Sequence, residues 1–355
     1  MTTAQVNYLN IGLMLISAIA AFIIPFELFL FSYAFLGPLH YLTEISWLHK
    51  RNYFTKGKKD FIFLLVLCFL ILIFSYIRPI LSWVFPTDVD GNFIDVGITN
   101  IAERAGSLTP TLIFLSFGAA LIMILVKSNT FKVISYSLLF LLGLAMHSSE
   151  FYLVLFAVFL PTLIHVFIFT GAFILVGALK GKSVSGYFSI LIFLLCAVSF
   201  FILFRQPGYI ISDYAKSAYN ESFFSLNYTV FEWLMPHMLE GVRSMDGLRD
   251  IIYNTSSGIL ITRFIAYAYT YHYLNWFSKT SVIKWHEISR PGLAIIVVLW
   301  VAAVVLYSFD YRTGLTALYF LSFLHVLLEF PLNFQSFKQI GEQVKLRLGG
   351  MGHRT

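Results

Sequence analysis

The sequence predicts an all-α fold, a polytopic integral membrane bundle of about ten transmembrane helices with both termini cytoplasmic. Three observations predict it. Of the 355 residues 59% are hydrophobic and only 12% are charged. Mean hydropathy is +0.80, too high for a water-soluble domain of this size. Apolar runs long enough to cross roughly 30 Å of hydrocarbon recur along the whole chain.

In order, the runs place helices near Leu9 to Ile24, Phe26 to Leu48, Phe61 to Phe85, Thr109 to Val126 and Val133 to Met146. Five more follow, near Phe151 to Leu179, Val184 to Phe204, Ser257 to Phe277, Leu293 to Phe309 and Gly314 to Leu332. The breaks at Pro25 and at His147 to Glu150 are the weakest marked, and either reads as a turn or as a kink. Residues 1–355 form a single transmembrane domain on this reading. The longest polar connection, residues 206–255, is extracytoplasmic and holds Phe231, Trp233, Leu234, Met235 and Met238 among Glu232, His237 and Glu240, the pattern of an interfacial helix or of a lid.

Orientation follows from the basic residues, which resist translocation. Sixteen of the 24 Lys and Arg fall in one alternate set of connections, including Lys50, Arg51, Lys56, Lys58, Lys59, Lys180, Lys182, Lys279 and Lys338. A net charge of +6 is accounted for by this asymmetry and calls for no nucleic-acid partner. The expected setting is the lipid bilayer, in multi-pass form, of a bacterial cytoplasmic membrane. The first apolar run lacks a basic leader and a small-residue cleavage site, so it is expected to remain as a helix. Cys68 and Cys196 both lie in apolar runs, which excludes a disulfide scaffold.

Ionisable side chains inside spans carry the functional information, because each costs a few kcal/mol on insertion scales unless it faces the bundle interior, a cavity or a partner. Four histidines fall inside separate predicted spans: His40, His165, His272 and His325. Their helices run in the same direction, and they stand 10, 15, 7 and 13 residues before the first cytoplasmic basic residue. At ~1.5 Å per residue these depths span about two helical turns. His40 and His325 each have a carboxylate four residues on, Glu44 and Glu329, and an i,i+4 pair shares one helix face. Imidazoles plus carboxylates bind iron, manganese or zinc, and in helical bundles facing helices contribute such ligands. The six residues make a complete ligand set for one ion or two. The alternative is structural: membrane histidines also bond helix to helix, and a His–Glu pair also neutralises itself.

His49, His147, Glu150 and His286 are additional candidate ligands or supporting groups, with His147 and Glu150 at an outer turn. Around His272 stand Tyr267, Tyr269, Tyr271, Asn275 and Trp276, expected to line a substrate cavity, with Arg263 nine residues earlier either snorkelling outward or holding an anionic group. Gly37, Pro38 and Pro331 flank the His–Glu pairs and are expected to loosen their helices.

The ligand types argue against an iron–sulfur cluster and against covalent haem, since no Cys-x-x-Cys-His occurs. There is also no glycine-rich nucleotide loop, Gly-x-Ser-x-Gly elbow or His-Glu-x-x-His. The chemistry left is dioxygen activation by non-haem iron, of one or two ions, or zinc-assisted hydrolysis. A site in the bilayer suits a hydrophobic small molecule, lipidic or isoprenoid and carotenoid-like, and an oxygenase, hydroxylase or desaturase supplied by an electron donor protein. The alternatives are a haem b electron-transfer protein and a proton-coupled transporter using the intramembrane His and Glu. The His-x-x-x-His and His-x-x-His-His boxes of membrane fatty-acid desaturases are absent. Isolated histidines on separate helices resemble, in pattern alone, the bacterial membrane carotene-cleaving oxygenases.

Overall fold

The computed structural model describes residues 2–88, 91–203, 209–242, 244–279, 284 and 287–351. Helices make up nearly all of it, and the described residues contain no strand beyond an isolated bridge between Thr87 and Phe93. In hydrocarbon this is the economical solution, because a helix satisfies its own backbone donors and acceptors. Among the described residues, six helical stretches are long and apolar enough to cross a membrane: Thr3–Ile23, Val96–Leu125, Glu150–Gly181, Val184–Ile202, Arg290–Phe309 and Tyr311–Arg347.

The chain runs through α1 (Thr3–Ile23), α2 (Pro25–Phe31), a π-helical turn (Ser32–Leu36) and α3 (Gly37–Lys50). It continues through α4 (Asp60–Ser75), α5 (Ile77–Ser82), α6 (Val96–Ser107), α7 (Thr109–Leu125), α8 (Asn129–Ala145) and α9 (Glu150–Val154). A longer π-helix (Leu155–Phe169) leads into α10 (Thr170–Gly181) and α11 (Val184–Ile202). The polar connection then holds three short helices, α12 (Asp213–Ser222), α13 (Phe224–Leu234) and α14 (Met245–Asn254). The chain ends in α15 (Ser256–Ser278), α16 (Arg290–Phe309) and α17 (Tyr311–Met351).

Prolines shape these boundaries in three different ways. A proline ring clashes with the carbonyl four residues back. Pro79 stands four residues after Ser75, where α4 ends, and the expected span Phe61 to Phe85 is two helices separated at Tyr76. Pro161 instead lies inside a π-helical stretch, where the backbone bonds reach one residue further, and Pro38 follows the π-helical turn by two residues, with the Gly37 N–H donating to Ser32 O. Pro331, expected to loosen its helix, lies inside an unbroken α17. The break near Pro25 is real: Ile24 leaves helical geometry and Pro25 opens α2.

Two compact units divide the chain. The first contains Met1–Ser46, Leu163–Leu318 and Ser336–Thr355. Its centre is α15, which packs against α1, α2, α11 and α14 and is buried almost along its whole length. Glycine sets the tightest approach. A Cβ on Gly258 would stand 2.2 Å from Ile251 O and 2.5 Å from Ile252 O, so only glycine lets α15 start against the end of α14. The second unit contains Trp47–Thr162 and Tyr319–Gln335. There α7 packs on α4 and α8, and the buried Lys132 ammonium bonds both carboxylate oxygens of Asp60, at 2.6 and 2.7 Å, tying α8 to α4.

Candidate metal centre

In the first unit, His40, Thr43 and Glu44 project from one face of α3, as their i, i+3 and i+4 spacing requires. All three are buried. The Thr43 hydroxyl donates back to Leu39 O at 2.8 Å. It also accepts from Trp276 Nε1 at 2.9 Å, which pins the facing helix α15. One turn before Trp276, His272 points at the same place, and its Nε2 lies 3.1 Å from His40 Nε2. His40 Nε2 is also 3.0 Å from Glu44 Oε2. Donor atoms from two helices therefore meet at His40 Nε2.

The other ring nitrogen of His272 is held from a third element. Thr170 Oγ1, in the first turn of α10, is 2.8 Å from His272 Nδ1. That contact fixes the ring so that Nε2 is the nitrogen presented to His40, the usual way a neighbour orients a histidine ligand. His165, one turn earlier in the chain and buried, stacks edge-on to His272 with ring centroids 4.8 Å apart. The Ser32 and Thr270 hydroxyls, 2.8 Å apart, join the π-helical turn to α15 just outside the cluster. Gly37 makes room for Tyr273: a Cβ there would meet the phenol oxygen at 3.3 Å.

The separations bear on what the cluster suits. Nitrogen donors stand about 2.1 Å from a first-row ion, so two cis donors of an octahedron are about 3.0 Å apart and two of a tetrahedron about 3.4 Å. Both 3.0 and 3.1 Å match the octahedral pair.

Of the sequence-expected ligands, His40, Glu44, His165 and His272 lie together in this unit. His325 and Glu329 are buried on α17 in the second unit. His49 is exposed, with Nδ1 3.0 Å from Tyr53 Oη. His147 and Glu150 occupy the turn between α8 and α9, where Glu150 is exposed. His286 lies outside the described residues.

The aromatic residues of α15 are spent on packing and hydrogen bonds. Tyr267 donates to Phe193 O at 3.2 Å. Tyr271 donates to Asn10 Oδ1 at 3.2 Å and lies 3.3 Å from Asn275 Oδ1. Tyr269 meets Phe29 edge to face. Arg263 is buried with its guanidinium 5.2 Å from the centre of the Phe22 ring. A cavity of about 330 Å³ in the same unit is lined by Glu27, Phe31, Phe35, Tyr307 and Tyr311 among others. Thr170, Thr43 and Ser32 were not singled out from the sequence, where a hydroxyl inside an apolar run carries no signal of its own.

Comparison with family models, with curated proteins and with solved structures finds no match. The chemistry is therefore argued from the geometry alone.

Proposed function

We propose that the chain is a membrane-embedded, metal-dependent oxidoreductase, a non-haem iron oxygenase, hydroxylase or desaturase acting on a lipidic or isoprenoid and carotenoid-like substrate. The reading includes about ten transmembrane helices with both termini cytoplasmic, a bacterial cytoplasmic membrane, and an electron donor protein. The observation that carries it is that His272 Nε2 and Glu44 Oε2 lie 3.1 and 3.0 Å from His40 Nε2, each separation that of two cis ligands of a six-coordinate ion. We also propose His165, His325 and Glu329 as metal donors, for one ion or two. The His325–Glu329 spacing repeats that of His40 and Glu44, and both side chains are buried.

Iron held by such a set supplies dioxygen activation, the chemistry of carboxylate–imidazole sites with open positions. The protein's part is to hold and to exclude. Thr170 keeps the His272 ring turned, and the Trp276–Thr43 bond keeps α15 in register with α3. Buried Tyr273 and Trp276 beside His40 keep bulk water from the centre, with ring centroids 5.2 and 5.5 Å from the imidazole. An apolar substrate then enters laterally from lipid.

Metal analysis with a visible spectrum of the detergent-purified protein tests the reading. The expected result is iron without a Soret band, lost in His40→Ala and His272→Ala and kept in the surface control His49→Ala. Metal-free protein that keeps its fold and takes up no added Fe(II) overturns it, as does a Soret band.

A further inference from the structure

Arg263 lies in the first half of α15 and is 8% exposed. A snorkelling arginine keeps its head in water, and this one is buried. Its Nε has no hydrogen-bond partner. The guanidinium sits 5.2 Å from the centre of the Phe22 ring, in the same compact unit. A ring face attracts the charge but leaves the forked N–H donors without directed acceptors.

Among the described residues, the carboxylates of the helices packed on α15 are engaged elsewhere. Glu27 of α2 accepts from the Tyr209 hydroxyl and, at 2.9 Å, from the Ser212 hydroxyl. Glu232 of α13 accepts from Tyr228 at 3.0 Å. On α14, Asp246 accepts from Arg249 at 3.1 Å and Asp250 from Asn254 at 2.7 Å. The π-helical turn, α1 and α11 carry no acid. A cation taken out of water is costly unless an anion answers it, and the planar guanidinium fork matches two oxygens of one phosphate or carboxylate.

The position narrows the source of that oxyanion. Phe22 is the next-to-last residue of α1, and its ring meets that of Phe200, near the end of α11, at 4.6 Å. Arg263 therefore reaches the end of the bundle at which α1 and α11 finish. Ile19 and Ile23 on α1 and Ile202 on α11 are exposed there, an apolar surface suited to acyl chains.

We propose that Arg263 is the binding site for the phosphodiester of an anionic phospholipid whose acyl chains lie along the ends of α1 and α11. The site is separate from the histidine cluster and does not depend on the metal-centre reading.

The test uses the full chain, delipidated in detergent, titrated with phosphatidylglycerol, phosphatidylcholine or inorganic phosphate. Retained lipid is read by native mass spectrometry and stability by the thermal midpoint. Wild type is expected to retain phosphatidylglycerol in preference to phosphatidylcholine and to unfold later with it. Arg263→Met keeps the apolar stem and is expected to weaken phosphatidylglycerol binding roughly 10- to 100-fold, the loss of a hydrogen bond to a charged group. Arg263→Lys keeps the charge without the fork, is expected to fall between the two, and serves as the test if the methionine variant does not fold. The exposed control Arg78→Met is expected to bind as wild type does. Equal retention of the two lipids by wild type, or unchanged phosphatidylglycerol affinity in both Arg263 variants, overturns the proposal. Stabilisation by inorganic phosphate equal to that by phosphatidylglycerol overturns the lipid as its source.

Discussion

Replacing Thr170 with valine tests whether the histidine cluster is a built site or a set of helix contacts. The substitution keeps shape and volume and removes the oxygen that stands 2.8 Å from His272 Nδ1. Both residues are buried, Thr170 at 1% and His272 at 6% exposure, so no bulk water replaces the lost bond. Leaving the imidazole nitrogen unanswered costs about 1–3 kcal/mol of stability. If His272 is a ligand, the same change frees its ring to turn and weakens metal binding by about 10- to 100-fold, or roughly 1.4–2.8 kcal/mol. Chelator competition and thermal unfolding, each run on wild type, Thr170→Val and Thr170→Ser, separate the two effects. The serine variant keeps the hydroxyl and is expected to stay close to wild type in metal affinity. A valine variant that unfolds earlier yet binds metal as tightly as wild type would refute the reasoning, because the bond would then hold helices together without orienting a ligand.

Two further outcomes are expected elsewhere in the chain. Asp60→Asn leaves the Lys132 ammonium buried opposite a neutral group, and breaking a buried pair of this kind costs about 3–5 kcal/mol. An Asp60→Leu, Lys132→Met double variant recovers most of that loss in chemical unfolding, and equal losses in single and double variants would contradict the pairing. Lys279, just past the end of α15, has its ammonium pushed down to about 8 from an ordinary 10.5 by burial. Between those values the unfolded chain binds the proton and the folded chain does not, so stability rises as pH rises from about 8 to 10.5 and is flat below that window. Thermal midpoints of wild type against Lys279→Met across that range check it, and parallel curves would refute it.

The helices were legible because hydropathy is written locally: each apolar run carries its own evidence, and the runs around Thr109 to Val126 and Val184 to Phe204 match α7 and α11 closely. What failed was finer than hydropathy. α4 ends at Ser75, four residues before Pro79, as a proline's demand on one carbonyl accounts for, and the apolar run is left unbroken. The π-helical stretches depend on whether a bond reaches four residues or five, and no side-chain pattern records that choice. The turn after α3 shows in sequence only its basic residues, yet Asn52, Tyr53 and Phe54 all take positive φ of 48, 52 and 58°, and Gln335 Nε2 donates to Phe54 O at 2.8 Å from a distant part of the chain.

The candidate site was legible in part for a similar reason. His40 and Glu44 announce themselves by spacing within one helix. That His272 meets His40 across 232 positions is a tertiary fact, which sequence could express only as a rough agreement in depth. Thr170, 102 positions from its partner, had no signal at all. The tyrosines of α15 show the converse: a conspicuous run suggested a cavity lining, and the structure spends Tyr267 and Tyr271 on bonds to Phe193 O and Asn10. Buried phenols in lipid need partners for the same reason a ligand pocket needs polar groups, so composition alone does not separate the two.

X-ray absorption at the metal edge of the iron-loaded protein bears most directly on the imidazole–carboxylate centre. The account predicts a shell of nitrogen and oxygen at about 2.1 Å with the outer-shell scattering of at least two imidazole rings, reduced by one ring in His272→Ala. A shell containing sulfur, or one of oxygen alone that His40→Ala and His272→Ala leave unchanged, would contradict it.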